Sequence, residues 1–233
     1  MTTSARARLV PLLLAFACAP AAGEDDGLDR HPALGACPED MSEAPSDPFA
    51  DCVDEFVAMG GGWGEESFPD IVLGPPEAGE NGNAGLDVLS LGCGGQITLH
   101  FAGDGVVDGP GPDLLVFENP FTVGDGTFAE PARVLVSDDG VDWRAFACDP
   151  AGDDLLRGCA GVALVRANTG NGLDPTDPAE AGGDAFDLAE VGLARARYVR
   201  LIDVGDEYDP SGQWCSGRSG GFDLDALAAV HAP

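Results

Sequence analysis

Gly95-Gln96-Ile97-Thr98-Leu99-His100-Phe101 is the stretch whose reading decides the fold. Ile97, Leu99 and Phe101 alternate strictly with Gln96, Thr98 and His100, and a period of two places the three apolar groups on one face of a half-buried strand. The same punctuation runs outward from it. Residues 133–137 and 141–146 flank Asp138-Asp139-Gly140, which predicts a hairpin turning at Asp-Gly, since glycine tolerates the positive φ that such turns demand. Further strands are predicted over 113–118, 198–204 and 222–231, with shorter ones over 71–73 and 86–91. Helix is expected only as a turn or two near 188–194. The 34 glycines and 18 prolines bound these short apolar runs, and many short strands at such spacing predict an all-β sandwich.

Cysteine parity separates compartments. Seven cysteines are present; setting Cys18 aside leaves Cys37, Cys52, Cys93, Cys148, Cys159 and Cys215, an even set that suits three disulfides in an oxidising environment. Fifteen pairings of six cysteines are possible. Locality favours Cys37 with Cys52 and Cys148 with Cys159, which leaves Cys93 with Cys215. The spacing lacks C-x-x-C pairs and the histidines are isolated, so structural zinc is disfavoured.

The N-terminus supports export. Arg6 and Arg8 precede an apolar run over 9–17 broken only by Pro11, and Cys18 follows. This is the charged, apolar, small-residue order of a secretory signal, and the run is shorter than the ~20 apolar residues that span a bilayer. Leu14-Ala15-Phe16-Ala17-Cys18 resembles a bacterial lipobox, with Ala15 standing where leucine is usual. Cys18 is then the lipidated residue, the alternative being plain cleavage near Ala19 or Ala21. The organisation expected is a signal over 1–18, a tether over 19–49 rich in Ala, Pro and acids, and one domain over 50–233.

All eleven basic residues are arginine, set against 41 acids for a formal net charge of −30. Such a surface repels nucleic acid and anionic lipid headgroups and attracts cations. Membrane contact is therefore expected through the lipid anchor alone.

Val136-Ser137-Asp138-Asp139-Gly140-Val141-Asp142-Trp143, with Ala196-Arg197-Tyr198-Val199-Arg200-Leu201 later, resembles the S-x-DG-x-x-W and A-R-Y-V-R-[IL] pattern of discoidin-like, galactose-binding-type jelly rolls. A wider set resembles a family of bacterial cell surface proteins: VLGPP (72–76), VLSLGCGGQITLHF (88–101), DGPGPDLLVFENPF (108–121), FAEPARVLVSDDG (128–140), GCAGV (158–162), GGDAFDLAEVGL (182–193) and GFDLDALAAVH (221–231). The likeness runs from about Cys52 to His231. It implies the jelly-roll fold and a location at the outer membrane or cell surface, secreted and periplasmic forms being the alternatives. It implies no activity.

Two acidic copies stand out. Gly182-Gly183-Asp184-Ala185-Phe186-Asp187-Leu188 and Gly220-Gly221-Phe222-Asp223-Leu224-Asp225 share Gly-Gly followed by Phe-Asp-Leu, and in extended chain each buries its Phe and Leu while presenting the intervening carboxylate. Asp184, Asp187, Asp223 and Asp225, joined by Asp113, Glu118 and Asn119, are the candidate ligands of one calcium ion, which takes oxygen donors in flexible geometry. The metal-free alternative is that these acids cap turns and accept backbone hydrogen bonds.

Gly217-Arg218-Ser219-Gly220-Gly221 satisfies G-x-S-x-G, but a nucleophile elbow needs a strand before it and a helix after it. Here a Cys-rich loop precedes and a strand follows. Carboxylate pairs suited to glycoside hydrolysis can be drawn freely from 41 acids and carry little weight. Trp63, Trp143 and Trp214 could stack on sugar rings; Trp143 is expected in the core, and Trp214, in a turn-rich loop with Arg218, is the candidate ligand-binding pair. The expectation is a non-enzymatic surface binding module for a glycan or other envelope component. A structural or adhesive envelope protein is the alternative, with a hydrolase behind both.

Overall fold

The computed structural model describes residues 29–30, 37–38, 40–41, 44, 47–79, 85–124, 126–151, 156–212, 215 and 217–231. The expected signal, Cys18 and Trp214 lie outside the described residues. Among those described, no helix is long and apolar enough to cross a membrane.

The chain is all-β, in two facing sheets with smaller ribbons around them. The larger sheet runs in the order β1 (Asp29–Arg30), β2 (Cys52–Ala58), β4 (Gln96–His100), β13 (Tyr198–Asp203), β9 (Ala132–Ser137) and β10 (Arg144–Ala145), every pairing antiparallel. The smaller one sets β6 (Leu114–Phe117) between β11 (Asp184–Phe186) and β15 (Ala226–Ala229). Three ribbons complete it: β5 (Val106–Val107) with β12 (Arg195–Ala196), β3 (Leu89–Ser90) with β14 (Asp223–Leu224), and β7 (Phe121–Val123) with β8 (Gly126–Phe128).

Alternation explains which groups meet. Ile97, Leu99, Val199, Leu201, Val134 and Val136 project from the larger sheet onto Leu114, Val116 and Leu227 of the smaller one, and all are buried in one cluster. The other face of the smaller sheet is covered too. Leu115, Phe117, Ala226 and Ala228 pack against Phe49, Ala78 and Val165 in a second cluster, which is why β6 reads as an unbroken apolar run rather than an alternating one.

The outer face of β4 is closed as well. Thr98 and His100 are buried, because Arg200 donates from Nε to the Thr98 hydroxyl at 2.8 Å and the Tyr198 ring stacks on His100 at 4.2 Å. Trp143 lies on this face rather than in the core: it is half-buried, with the Arg200 guanidinium 4.2 Å above its ring. The attraction of a cation for the ring face, and the indole N–H donated to Gly140 O, give the side chain partners that a core position would not supply.

The three disulfides pair as locality suggested, Cys37 with Cys52, Cys148 with Cys159, and Cys93 with Cys215. Other expectations need correction. Residues 70–72 form a 3-10 turn rather than a strand, since a short apolar run between prolines has no neighbour to pair with. Residues 138–143 make a longer loop than a two-residue Asp-Gly turn, organised by Asp139, whose Oδ1 accepts the amides of Val141 and Asp142. The last strand is broken at Asp225 into β14 and β15. Two one-turn helices, α1 (Pro178–Ala181) and α2 (Gly205–Tyr208), were not expected. Sheet pairing also reaches into the segment read as a tether, through β1 and through a bridge from Phe49 to Ala228.

Candidate functional site

Strand β6 is bracketed by acids, Asp113 before it and Glu118 after it. Four extended residues at ~3.3 Å each separate them, so the seven expected ligands do not gather about one ion. Asp113 is fully buried at the near end, where its oxygens accept the amides of Gly109 at 2.8 Å and Leu188 at 2.7 Å. Asp108 and Asp187 lie beside it, and His231 Nε2 is 3.6 Å away. Asp187 spends its Oδ1 on the amide of Ala189, starting a 3-10 turn.

Two more of the seven act as loop anchors. Asp184 accepts three successive amides, from Gly161, Val162 and Ala163, and both oxygens of Asp225 accept the amide of Glu77. Burial pushes Asp184 up to about 6 even against those three donors. Asp203, which the sequence did not single out, works the same way on Gly94, Gly205 and Phe222. These carboxylates replace ladder hydrogen bonds where the backbone turns, which is the metal-free role.

Glu118 and Asp223 are different. They meet each other and Glu130, and one carboxylate oxygen from each lies within 4.8 Å of the other two. All three are buried, at 2 %, 5 % and 6 % exposure for Glu118, Asp223 and Glu130. Asp223 Oδ1 accepts the Ser90 hydroxyl, and Glu130 Oε1 accepts the amide of Gly221 at 3.0 Å. The Asn119 side chain donates to Gly85 O at 3.2 Å and also favours the Asp223 carboxylate. Oε2 of Glu118 is buried with no hydrogen-bond partner among the described residues.

In all three carboxyls burial outweighs the hydrogen bonds that favour the charged form. Burial pushes Glu118 well above the ordinary carboxylate range, with Asp223 and Glu130 adding like charge. Burial, then Asp223, raises Glu130 to about 9. Asp223 rises to about 6 from burial, despite the Ser90 hydroxyl. Glu130 was missing from the candidate set. Among 41 acids, one between Ala129 and Pro131 carries no mark of its own; only the fold shows that it points inward.

Above this cluster lies a surface patch connected to it by backbone. Ser90 donates its amide to Trp63 O at 3.1 Å and accepts the amide of Gly62 at 3.3 Å. Trp63 in turn donates its amide to Arg218 O at 2.9 Å. The Arg218 guanidinium reaches Gly62 O and Glu66, and the Trp63 indole N–H donates to Leu86 O at 3.0 Å. Trp63 is 39 % exposed and Leu86 74 %. Arg218 thus stands beside Trp63.

Ser219 lies in an exposed turn before β14, and His231 lies beyond β15 against Asp113. The extended chain between them sets the two at opposite ends of the same strands, and the turn does not lead into a helix. The G-x-S-x-G match therefore lacks the surroundings that a nucleophile elbow requires.

No family model matches the chain, and no curated protein matches it.

Proposed function

We propose that this chain is an exported, lipid-anchored binding module of the bacterial cell surface, non-enzymatic, built on a discoidin-like jelly roll and directed at a glycan of the envelope. The observation that carries the reading is the exposed Trp63 ring, fixed by its own indole hydrogen bond and joined through its amide to Arg218, which pairs with Glu66. An aromatic face suits the apolar face of a pyranose, and an arginine paired with a carboxylate supplies donors and acceptors for hydroxyls. The support for export is the signal-like start, the lipobox-like Cys18 and the disulfide set. With a net charge of −30, neutral or amino sugars fit better than sulfated or uronic ones.

A glycan array probed with the protein tests this. Retention of neutral glycans is expected, and Trp63→Ala is expected to weaken it at least tenfold. The melting temperature should barely change, because exposed positions contribute little to stability. Retention that ignores Trp63→Ala, or no retention at all, overturns the reading, and the second result favours a structural or adhesive envelope protein.

A further inference from the structure

We infer that Glu118, Glu130 and Asp223 form a calcium centre joining four segments of the fold. Two independent observations carry it. The first is convergence: oxygens bound to one calcium at 2.3–2.6 Å lie no more than ~5 Å apart, and the three carboxylates already offer one oxygen each within 4.8 Å. The second is Oε2 of Glu118, a buried acceptor with no partner among the described residues. Buried polar atoms are almost always satisfied, so such an atom marks a missing partner.

That partner is a cation rather than a donor group. The charged side chains that act on the three carboxylates among the described residues are themselves acidic, so the group either takes up protons, the direction in which burial pushes all three, or binds a cation that keeps it ionised. The donors are all oxygen, which selects a hard ion over zinc or copper. Calcium accepts irregular carboxylate geometry, whereas magnesium demands a near-ideal octahedron and holds on to its water. Asp108, Asp113 and Asp187 form a second acidic group, but both oxygens of Asp113 are already engaged by amides.

The position gives the ion a task. Glu118 follows β6, Glu130 leads into β9, Asp223 lies in β14, and Ser90 of β3 bonds to Asp223. Glu130 also holds Gly221, at the end of the loop that carries Arg218, and Ser90 holds Trp63. Calcium here braces the base of the exposed patch. The inference goes beyond the glycan reading and requires none of it.

The test is titration of the chelator-treated, dialysed full-length protein with calcium chloride, and separately with magnesium chloride, by calorimetry and thermal melting. One calcium per chain and a raised melting temperature are expected, with magnesium at least tenfold weaker. Glu118→Gln and Glu130→Gln keep the side-chain shapes while removing charge. Both should fold in chelator and bind calcium at least tenfold more weakly, while Asp108→Asn binds as the parent does. If the parent shows neither calcium heat nor a melting shift, or the two Gln variants bind as tightly as the parent, the centre does not exist. A misfolded variant is detected by its melt in chelator, and Asp223→Asn then replaces it with the same expected loss. Calcium binding without glycan retention keeps this inference and removes only the glycan reading.

Discussion

Replacing Cys93 and Cys215 together by serine is expected to lower the unfolding free energy by about 5 kcal/mol, the largest effect of the three disulfides. Their cross-link spans 122 residues, against 15 for Cys37 with Cys52 and 11 for Cys148 with Cys159. A cross-link restricts the unfolded chain in proportion to the logarithm of the loop it closes, which gives ~5 kcal/mol for a loop of this length and ~3 kcal/mol for each shorter one. Against a typical total of roughly 5–15 kcal/mol, that loss is enough to unfold a marginal domain. The native bond also ties Cys93, ahead of β4, to the loop that leads to Arg218, so the variant should loosen the exposed patch before the core. Urea unfolding of the three paired Cys→Ser variants checks the ranking. A 93/215 variant no less stable than the two local ones contradicts it.

Gly221→Ala is expected to prevent accumulation of folded protein. Gly221 has φ of +78°, and a Cβ there would lie 2.5 Å from the backbone carbon of Gly92 and 2.8 Å from the amide nitrogen of Cys93. Neither obstacle is a side chain that can rotate away. Positive φ alone costs a non-glycine residue roughly 1–2 kcal/mol. Moving the turn before β4 would also disturb the Phe222 amide bond to Asp203 and the Gly221 bond to Glu130, for a total beyond about 4 kcal/mol. Gly212→Ala is the control: φ is +66° there but the space is open, so only the conformational cost is expected. Comparable expression and melting of the two variants contradicts the close-approach argument.

Close approach of backbone also accounts for the Gly-Gly of the other copy. Gly182 has φ of +73° and a Cβ would meet Leu164 O at 2.2 Å, while Gly183 closes on Phe117 and Val116. Repetition of Gly-Gly before Phe-Asp-Leu was visible; that Gly182, Gly183 and Gly221 lie where another segment of backbone comes too close for a Cβ was not. The alternation of Ile97, Leu99 and Phe101 identified the inner face of β4, because one buried face imposes a period of two. It did not reveal that Thr98 and His100 are also covered, since their cover comes from Arg200 and Tyr198, a hundred residues away in sequence. Alternation likewise turned Asp223 away from Phe222 and Leu224 as expected, yet that side faces Glu118 and Glu130 rather than water. A local pattern gives the direction of a side chain but not what stands opposite it. For that reason the seven acids and amides expected around one ion are spread over the fold: Glu118, Asn119 and Asp223 come together with Glu130, Asp113 and Asp187 lie at the far end of β6, and Asp184 and Asp225 hold loops.

The placement of the ion is tested most directly by a crystal structure of the oxidised protein grown with calcium. One density peak is expected 2.3–2.6 Å from carboxylate oxygens of Glu118, Glu130 and Asp223, with Oε2 of Glu118 among its ligands. Three carboxyl groups sharing protons with one another around no peak, or a peak confined to Asp108, Asp113 and Asp187, would contradict it.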